Sequence, residues 1–282
     1  MSMKKGILSV VVILLSMAGM VTAAEDVVMP VAGNELHGTI DATYTSQYVW
    51  RGFSVFGTQG AFHPGIDLDL YGTGFGLSAV GHMATESGYV NNERWDYTLY
   101  YGNRLWESEW YAMNYRLSYV YYNYPKLSSH TEDSVDLQEL NGVFSFPNLL
   151  GVKGLVPSYV LVKLWPSNSG TIIGAPKSDG TASGFAHIFM LDYGWAIPAI
   201  VPNTAEQVLN LHAEVVYNDG VAPNGINVDH DWSDAVFGVS TNFPICENLV
   251  FTPGVYHQIT MDESVNDDKS ITWASASLTY KF

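Results

Sequence analysis

Cysteine is nearly absent from this chain. The single Cys246 in 282 residues excludes an intrachain disulfide framework and any Cys-rich zinc or iron–sulfur centre. Charge is scarce too: Asp, Glu, Lys and Arg together make 14% of the residues, against about 25% in ordinary soluble domains. Positive charge is the scarcer sign, with 12 Lys and Arg against 28 Asp and Glu and a net charge of −16. Such a chain lacks the clustered cations that hold a phosphate backbone, so nucleic acid is excluded as a partner. Long apolar runs are missing as well. After the first residues no stretch approaches the roughly 20 apolar residues of a spanning helix.

What the chain does have is aromatics, with 18 Tyr, 8 Trp and 12 Phe. Few charges and many Tyr and Trp suit a surface that faces lipid and is ringed by aromatics at its two interfaces. The N-terminus reads as a secretory signal peptide over residues 1–23. Lys4 and Lys5 form its basic region, Ile7 to Ala18 its apolar core, and Val21-Thr22-Ala23 the small residues before cleavage. No Cys near that site would take a lipid. The mature chain, residues 24–282, shows no repeat and no shift in composition, and is expected to be one domain.

Period-two alternation recurs along that domain. It is clearest from Leu36 to Gln47, where Leu36, Ile40 and Tyr44 share one face and His37, Thr39, Asp41 and Thr43 the other. Further strands are expected at about Phe62–Tyr71, Phe75–Met83, Arg94–Leu105, Glu109–Tyr122, Asp136–Phe146 and Leu155–Trp165. Five more follow at Gly184–Trp195, Gln207–Asn218, Trp232–Phe243, Leu249–Thr260 and Ser270–Phe282. The connectors alternate between short and long, with a tight glycine-rich turn at Tyr71-Gly72-Thr73-Gly74. The expected fold is all-β: a transmembrane, antiparallel up-and-down barrel of about twelve strands, an even number in the bacterial range. A soluble sandwich gives the same alternation with its apolar face inward. The strand from Leu155 to Trp165 is the least regular, since Lys163 shares a face with Tyr159 and Leu161.

The parity of the first strand assigns an inward set. Its expected lining residues are Asp41, Asp67, Asp69, Arg94, Asp96, Arg104 and Arg116, with His82, Glu139, Asp192, His212 and Glu214 on the same face. Two interiors fit: a water-filled path lined by mixed charge, or a closed lumen knitted by Arg–carboxylate pairs. Eight strands are filled by side chains and sixteen leave a channel, so a narrow pore is the favoured reading. Acidic lining would favour cations.

Catalysis is the competing class. A nucleophile needs a base in reach and a third group to orient it. His82 lies near Glu86 and Ser87, and His212 near Glu214, but neither sits in a motif such as G-x-S-x-G or H-E-x-x-H. No catalytic, cofactor or metal site is expected. Outer loops carry acidic clusters at Glu132-Asp133, Asp229-His230-Asp231 with Asp234, Asp262-Glu263 and Asp267-Asp268. These could hold divalent ions or bridge lipopolysaccharide, which keeps a structural, surface-binding barrel open as a third class.

Two segments carry resemblances. The alternating Ser275-Ala276-Ser277-Leu278-Thr279-Tyr280-Lys281-Phe282 resembles the C-terminal insertion signal of bacterial outer-membrane barrels, with Ser277 where Gly is usual. Ser46-Gln47-Tyr48-Val49-Trp50-Arg51-Gly52-Phe53, followed by Gln59-Gly60 and Pro64-Gly65-Ile66-Asp67-Leu68-Asp69-Leu70, resembles the N-terminal region of the TorF-like outer-membrane porins. Gln47 departs from that pattern, which has Asp or Asn. The resemblance implies a bacterial outer-membrane barrel with a transport role. The lipid bilayer, lipopolysaccharide and small hydrophilic solutes are the expected partners. Physically, Arg51 before Gly52 could fold a guanidinium back into the lumen. The pair is expected to anchor the first outer loop, with Asp67 or Asp69 as the partner.

Overall fold

The computed structural model describes residues 34–126, 136–167, 183–200, 206–220 and 230–282. The signal peptide, Glu132-Asp133 and Asp229 lie outside them. Twelve staves form a closed antiparallel barrel. In chain order they are β1 (His37–Thr45), β2 (Ala61–Asp69), β3 (Phe75–Ala84), β4 (Arg94–Leu105), β5 (Met113–Asn123) and β6 (Leu137–Ser145). The second half comprises β7 (Leu155–Pro166), β8 (Gly184–Pro198), β9 (Glu206–Asp219), β10 (Asp231–Thr241), β11 (Leu249–Thr260) and β12 (Ile271–Lys281). Each stave pairs with its neighbours in sequence, and Phe243–Cys246 extends the β10 side against the start of β11. The sequence-expected strands differ from these mainly at their ends. β5 starts at Met113 rather than Glu109 because Trp106–Ala112 closes two turns, Glu109 N–H to Trp106 O and Ala112 N–H to Glu109 O.

The cylinder closes where β1 meets β12, with Ile40 opposite Tyr280, Ala42 opposite Leu278 and Tyr44 opposite Ala276. Both edges are thereby removed, as a barrel in lipid requires. The Tyr71–Gly74 connector is tight for a backbone reason: Tyr71 and Gly72 both take positive φ, 60° and 65°, the geometry that matches the twist of a hairpin.

Which face is greasy decides between the membrane barrel and the soluble sandwich. Ile40 is 50% exposed and its neighbour Asp41 is 3% exposed. The same inversion runs round the barrel: Leu77, Leu99, Leu117, Leu140, Phe189 and Leu278 point out, while Asp67, Asp96, Asn141 and Ser277 point in. Exposed aromatics gather toward both rims, with Tyr44, Phe62 and Trp232 at the loop end and Phe75, Trp106 and Phe282 at the end holding the termini. That is the pattern of two interfacial girdles. Replacing Ile40 by Arg, near the middle of β1, is expected to cost ~2–4 kcal/mol. Urea unfolding in lipid vesicles reads this as a lowered midpoint, and an unchanged midpoint would mean that this face does not meet lipid.

Candidate functional site

The segment after β1 does not stay outside. Residues 46–60 turn into the lumen, where Tyr48, Val49, Trp50, Phe53 and Phe56 are buried. A two-rung hairpin, Val49–Trp50 against Phe53–Ser54, carries Arg51 and Gly52 at its tip. The apolar residues explain why the segment folds inward. Tyr48, Trp50 and Phe56 pack on inward-facing Val120, Val160, Val162, Leu164, Ile188 and Met190. This wall was not foreseen as apolar. It also explains the irregular look of β7, whose Val160, Val162 and Leu164 face the segment while Tyr159 and Leu161 face outward. A strand buried on one side and in lipid on the other is apolar on both. Lys163 sits near the loop end of that strand, donates to Ser183 Oγ at 3.2 Å and lies 4.4 Å from the Phe185 ring centroid, a snorkelling position.

Polar groups then latch the segment to the wall. Arg94 Nη2 donates to Tyr48 Oη at 3.0 Å, and the guanidinium stacks 4.1 Å from the Trp50 ring and 4.7 Å from Tyr122. Arg94 Nε is held by Asp96 Oδ1 at 2.8 Å. Beneath it the Tyr48 ring lies flat on His82, 4.9 Å between centroids and 9° between planes. The imidazoles are wired in one direction. His82 Nε2 donates to Asp96 Oδ2 (2.9 Å), which leaves His82 Nδ1 to accept from His63 Nδ1 (2.9 Å). His63 Nε2 then accepts from Thr45 Oγ1 at 3.1 Å. Both rings are neutral and satisfied in that arrangement.

The tip spans the lumen. Arg51 Nη2 meets Glu139 Oε1 of β6 at 2.6 Å. On the far side Gln258 Nε2 of β11 donates to Gly52 O at 2.8 Å, and Asn266 Nδ2 donates to the same oxygen. Arg51 therefore pairs with Glu139 and not with Asp67 or Asp69, because the hairpin carries it across the barrel, away from β2. Gly52 is required where it stands: its φ is +84°, and a Cβ there would lie 2.5 Å from Asp234 Oδ1.

Nearer the termini the lumen is polar. Tyr100 Oη donates to Asp67 Oδ1 at 2.7 Å, Arg116 stacks 3.7 Å from the Tyr100 ring, and Arg116 Nη2 lies 3.8 Å from Asp67 Oδ2. Asp69 accepts from the Gly72 N–H at 3.0 Å, and Asp41 packs over Gly65. Arg94 and Asp96 are brought together under the infolded segment, and Arg116 and Asp67 below it. Arg104 joins neither group, since it is exposed at the terminus end of β4.

A second titratable cluster lies on β8 to β10. His212 Nδ1 bonds Asp192 Oδ1 at 2.8 Å, and Nε2 lies 3.6 Å from Glu214 Oε2. Asp234 joins it from β10. The sequence reading put Asp234 among the outer-loop acids, yet it is 0% exposed inside the barrel. The cause is a bulge. Val216 pairs with Asp234 but Tyr217 with Trp232, so Ser233 is the extra residue and the parity of β10 flips there. Among the described residues no group of His, Cys, Asp or Glu converges tightly enough to hold a metal ion. At the loop end, a cavity of about 650 Å³ lies over the infolded segment and is lined by Gln47, Trp50, Ser54, Asn92, Arg94 and Asn266, among others.

A closed antiparallel barrel, a greasy outside with two aromatic rims and a polar interior crossed by its first loop define a bacterial outer-membrane β-barrel. Its structural neighbours include porin-type barrels. The COG4313 outer membrane channel from Pseudomonas putida F1 is 12% identical, with a TM-score of 0.50 over 89% of this chain and 96% of that one. The KdgM porin, solved in complex with disordered oligogalacturonate, is 11% identical, with a TM-score of 0.49 over 86% and 99%. These likenesses are ones of fold. No protein-family model matches the chain, and no curated protein matches it in sequence.

Proposed function

We propose that this barrel is a narrow, porin-like channel for small hydrophilic solutes, constricted by residues 46–60. The observation that carries the reading is the two-sided latch of the hairpin tip, Arg51 on Glu139 and Gly52 on Gln258. A segment held across a lumen sets its width, and selectivity in a pore is set at its constriction. Below the segment, Asp67, Arg116, Asp192 and His212 keep the interior polar. The same segment carries the Tyr-x-x-Arg-Gly stretch on which the TorF-like resemblance rests, so that family and this role are proposed together. Lipopolysaccharide is the proposed neighbour of the acidic loops at Asp262-Glu263 and Asp267-Asp268.

No catalytic step is needed for this role. Among the described residues, the hydroxyl–imidazole–carboxylate series from Thr45 through His63 and His82 to Asp96 starts at a fully buried hydroxyl. Such a group meets no substrate. The reading is tested by refolding the mature barrel and inserting it in planar bilayers. Discrete current steps in KCl are the expected result. A barrel that shifts its mobility on heating, as a folded barrel does, but passes no current at any salt or voltage would contradict it.

A further inference from the structure

The lumen holds more carboxylate than it can pair. Each inward arginine among the described residues already has an acid: Arg51 has Glu139, Arg94 has Asp96 and Arg116 has Asp67. Among the described residues Asp192, Glu214 and Asp234 have no arginine or lysine bonded to them, and the single His212 serves two of them. Asp192 Oδ2 and Asp234 Oδ2 are buried without a hydrogen bond, and Glu214 Oε2 has only the long 3.6 Å contact to His212 Nε2. Carboxylates in this state demand a donor.

A fourth group outside the acidic cluster makes the same demand. Gln258 is fully buried, and its amide nitrogen is already used on Gly52 O and Thr260 Oγ1. Its Oε1 has no partner. Register places it in the same row, since Val236 lies opposite Glu214 on one side and opposite Gln258 on the other. With the nitrogen committed to Gly52 and Thr260, the oxygen is the acceptor left for a donor at this row. The unpartnered oxygens of Asp234 and Gln258 are acceptors on fully buried residues, and those of Asp192 and Glu214 belong to buried residues beside them.

We infer that Asp192, Glu214, Asp234 and Gln258 form a binding station for an organic cation, one carrying an ammonium or guanidinium group. The inference rests on the channel reading above and names the solute class of that channel. A bare ion is too small to satisfy the set: Glu214 and Gln258 are two stave spacings apart, on the order of 10 Å between backbones. An ammonium brings three donors and a guanidinium five, and an organic cation carries them on a body longer than a bare ion. The protein's own guanidinium on Arg51 already occupies the neighbouring carboxylate, Glu139, and lies within electrostatic reach of Glu214.

The test titrates the folded barrel, in zwitterionic detergent, with agmatine and separately with glutarate by calorimetry, and repeats both with Glu214→Gln and Asp234→Asn. Wild type is expected to bind agmatine and not glutarate. Each variant should weaken agmatine roughly tenfold or more, the loss of one charge-assisted hydrogen bond. Stronger binding of glutarate than of agmatine by wild type overturns the inference without any variant. So does unchanged agmatine affinity in two variants that still shift mobility on heating. Bilayer current that agmatine leaves unaltered, with no binding heat, sinks the station and spares the channel. Agmatine binding that both substitutions weaken, in a barrel that passes no current, upholds the station and sinks the channel.

Discussion

Replacing residues 48–58 by a short Gly–Ser link raises the current through the reconstituted barrel several-fold. The segment fills the loop half of the lumen, and Tyr48, Trp50 and Phe56 account for its bulk. Without them one wall is left apolar, at Val160, Val162 and Ile188. The facing wall is polar, at Thr45, His63, His82, Arg94 and Asp96, so the vacated space fills with water rather than dewetting. Twelve staves enclose more room than an eight-stranded barrel, which side chains alone can fill. Step size in KCl and the size of sugar admitted by proteoliposome swelling should rise together. Equal currents before and after the replacement would show that the segment is not the constriction.

Arg51→Ala carries the second large effect. It leaves Glu139, whose side chain is fully buried, as an uncompensated carboxylate, a change that costs ~3–5 kcal/mol in buried pairs. Tyr122 Oη and Asn141 Nδ2 still donate to Glu139, at 2.9 Å each, which places the expected loss at the lower end. Glu139→Gln should cost less, because the amide oxygen can still accept. Replacing both partners by apolar residues of similar size should cost least of the three. Unfolding midpoints in urea rank these variants. An Arg51→Ala barrel as stable as wild type would remove the latch from the account.

The staves were legible in the sequence because lipid fixes one face of each. Leu36, Ile40 and Tyr44 must all be apolar, so period two survives on the outside whatever the inside holds. The inside has no such rule. β7 was read as irregular because Val160, Val162 and Leu164 pack on a segment about a hundred residues earlier in the chain, a contact that no local pattern announces. Its two-faced apolarity was nevertheless the available signal that part of the lumen is filled. Arg51 and Gly52 stood out in the sequence as a junction. Their partners, Glu139 and Gln258, depend on how far the hairpin reaches. Asp234 was misplaced by one bulged residue, Ser233, and a shift of one residue turns a strand inside out.

The central claim is that residues 46–60 govern passage through this barrel. A cross-link tests it most directly. A Cβ at position 52 would lie 3.1 Å from Asp234 Cγ, so cysteines at 52 and 234 fall within the reach of a disulfide. Gly52→Cys and Asp234→Cys are combined with Cys246→Ser, since Cys246 is an exposed free thiol. Any strain at position 52 is then present in both redox states, and single-channel current is recorded before and after reduction. The account predicts that the oxidised barrel keeps small steps, because the disulfide pins the segment where it already constricts the lumen, and that reduction, which frees a tip strained at position 52, gives steps at least as large. Loss of openings on oxidation, or larger steps in the oxidised than in the reduced state, with the disulfide verified by mass, would contradict it.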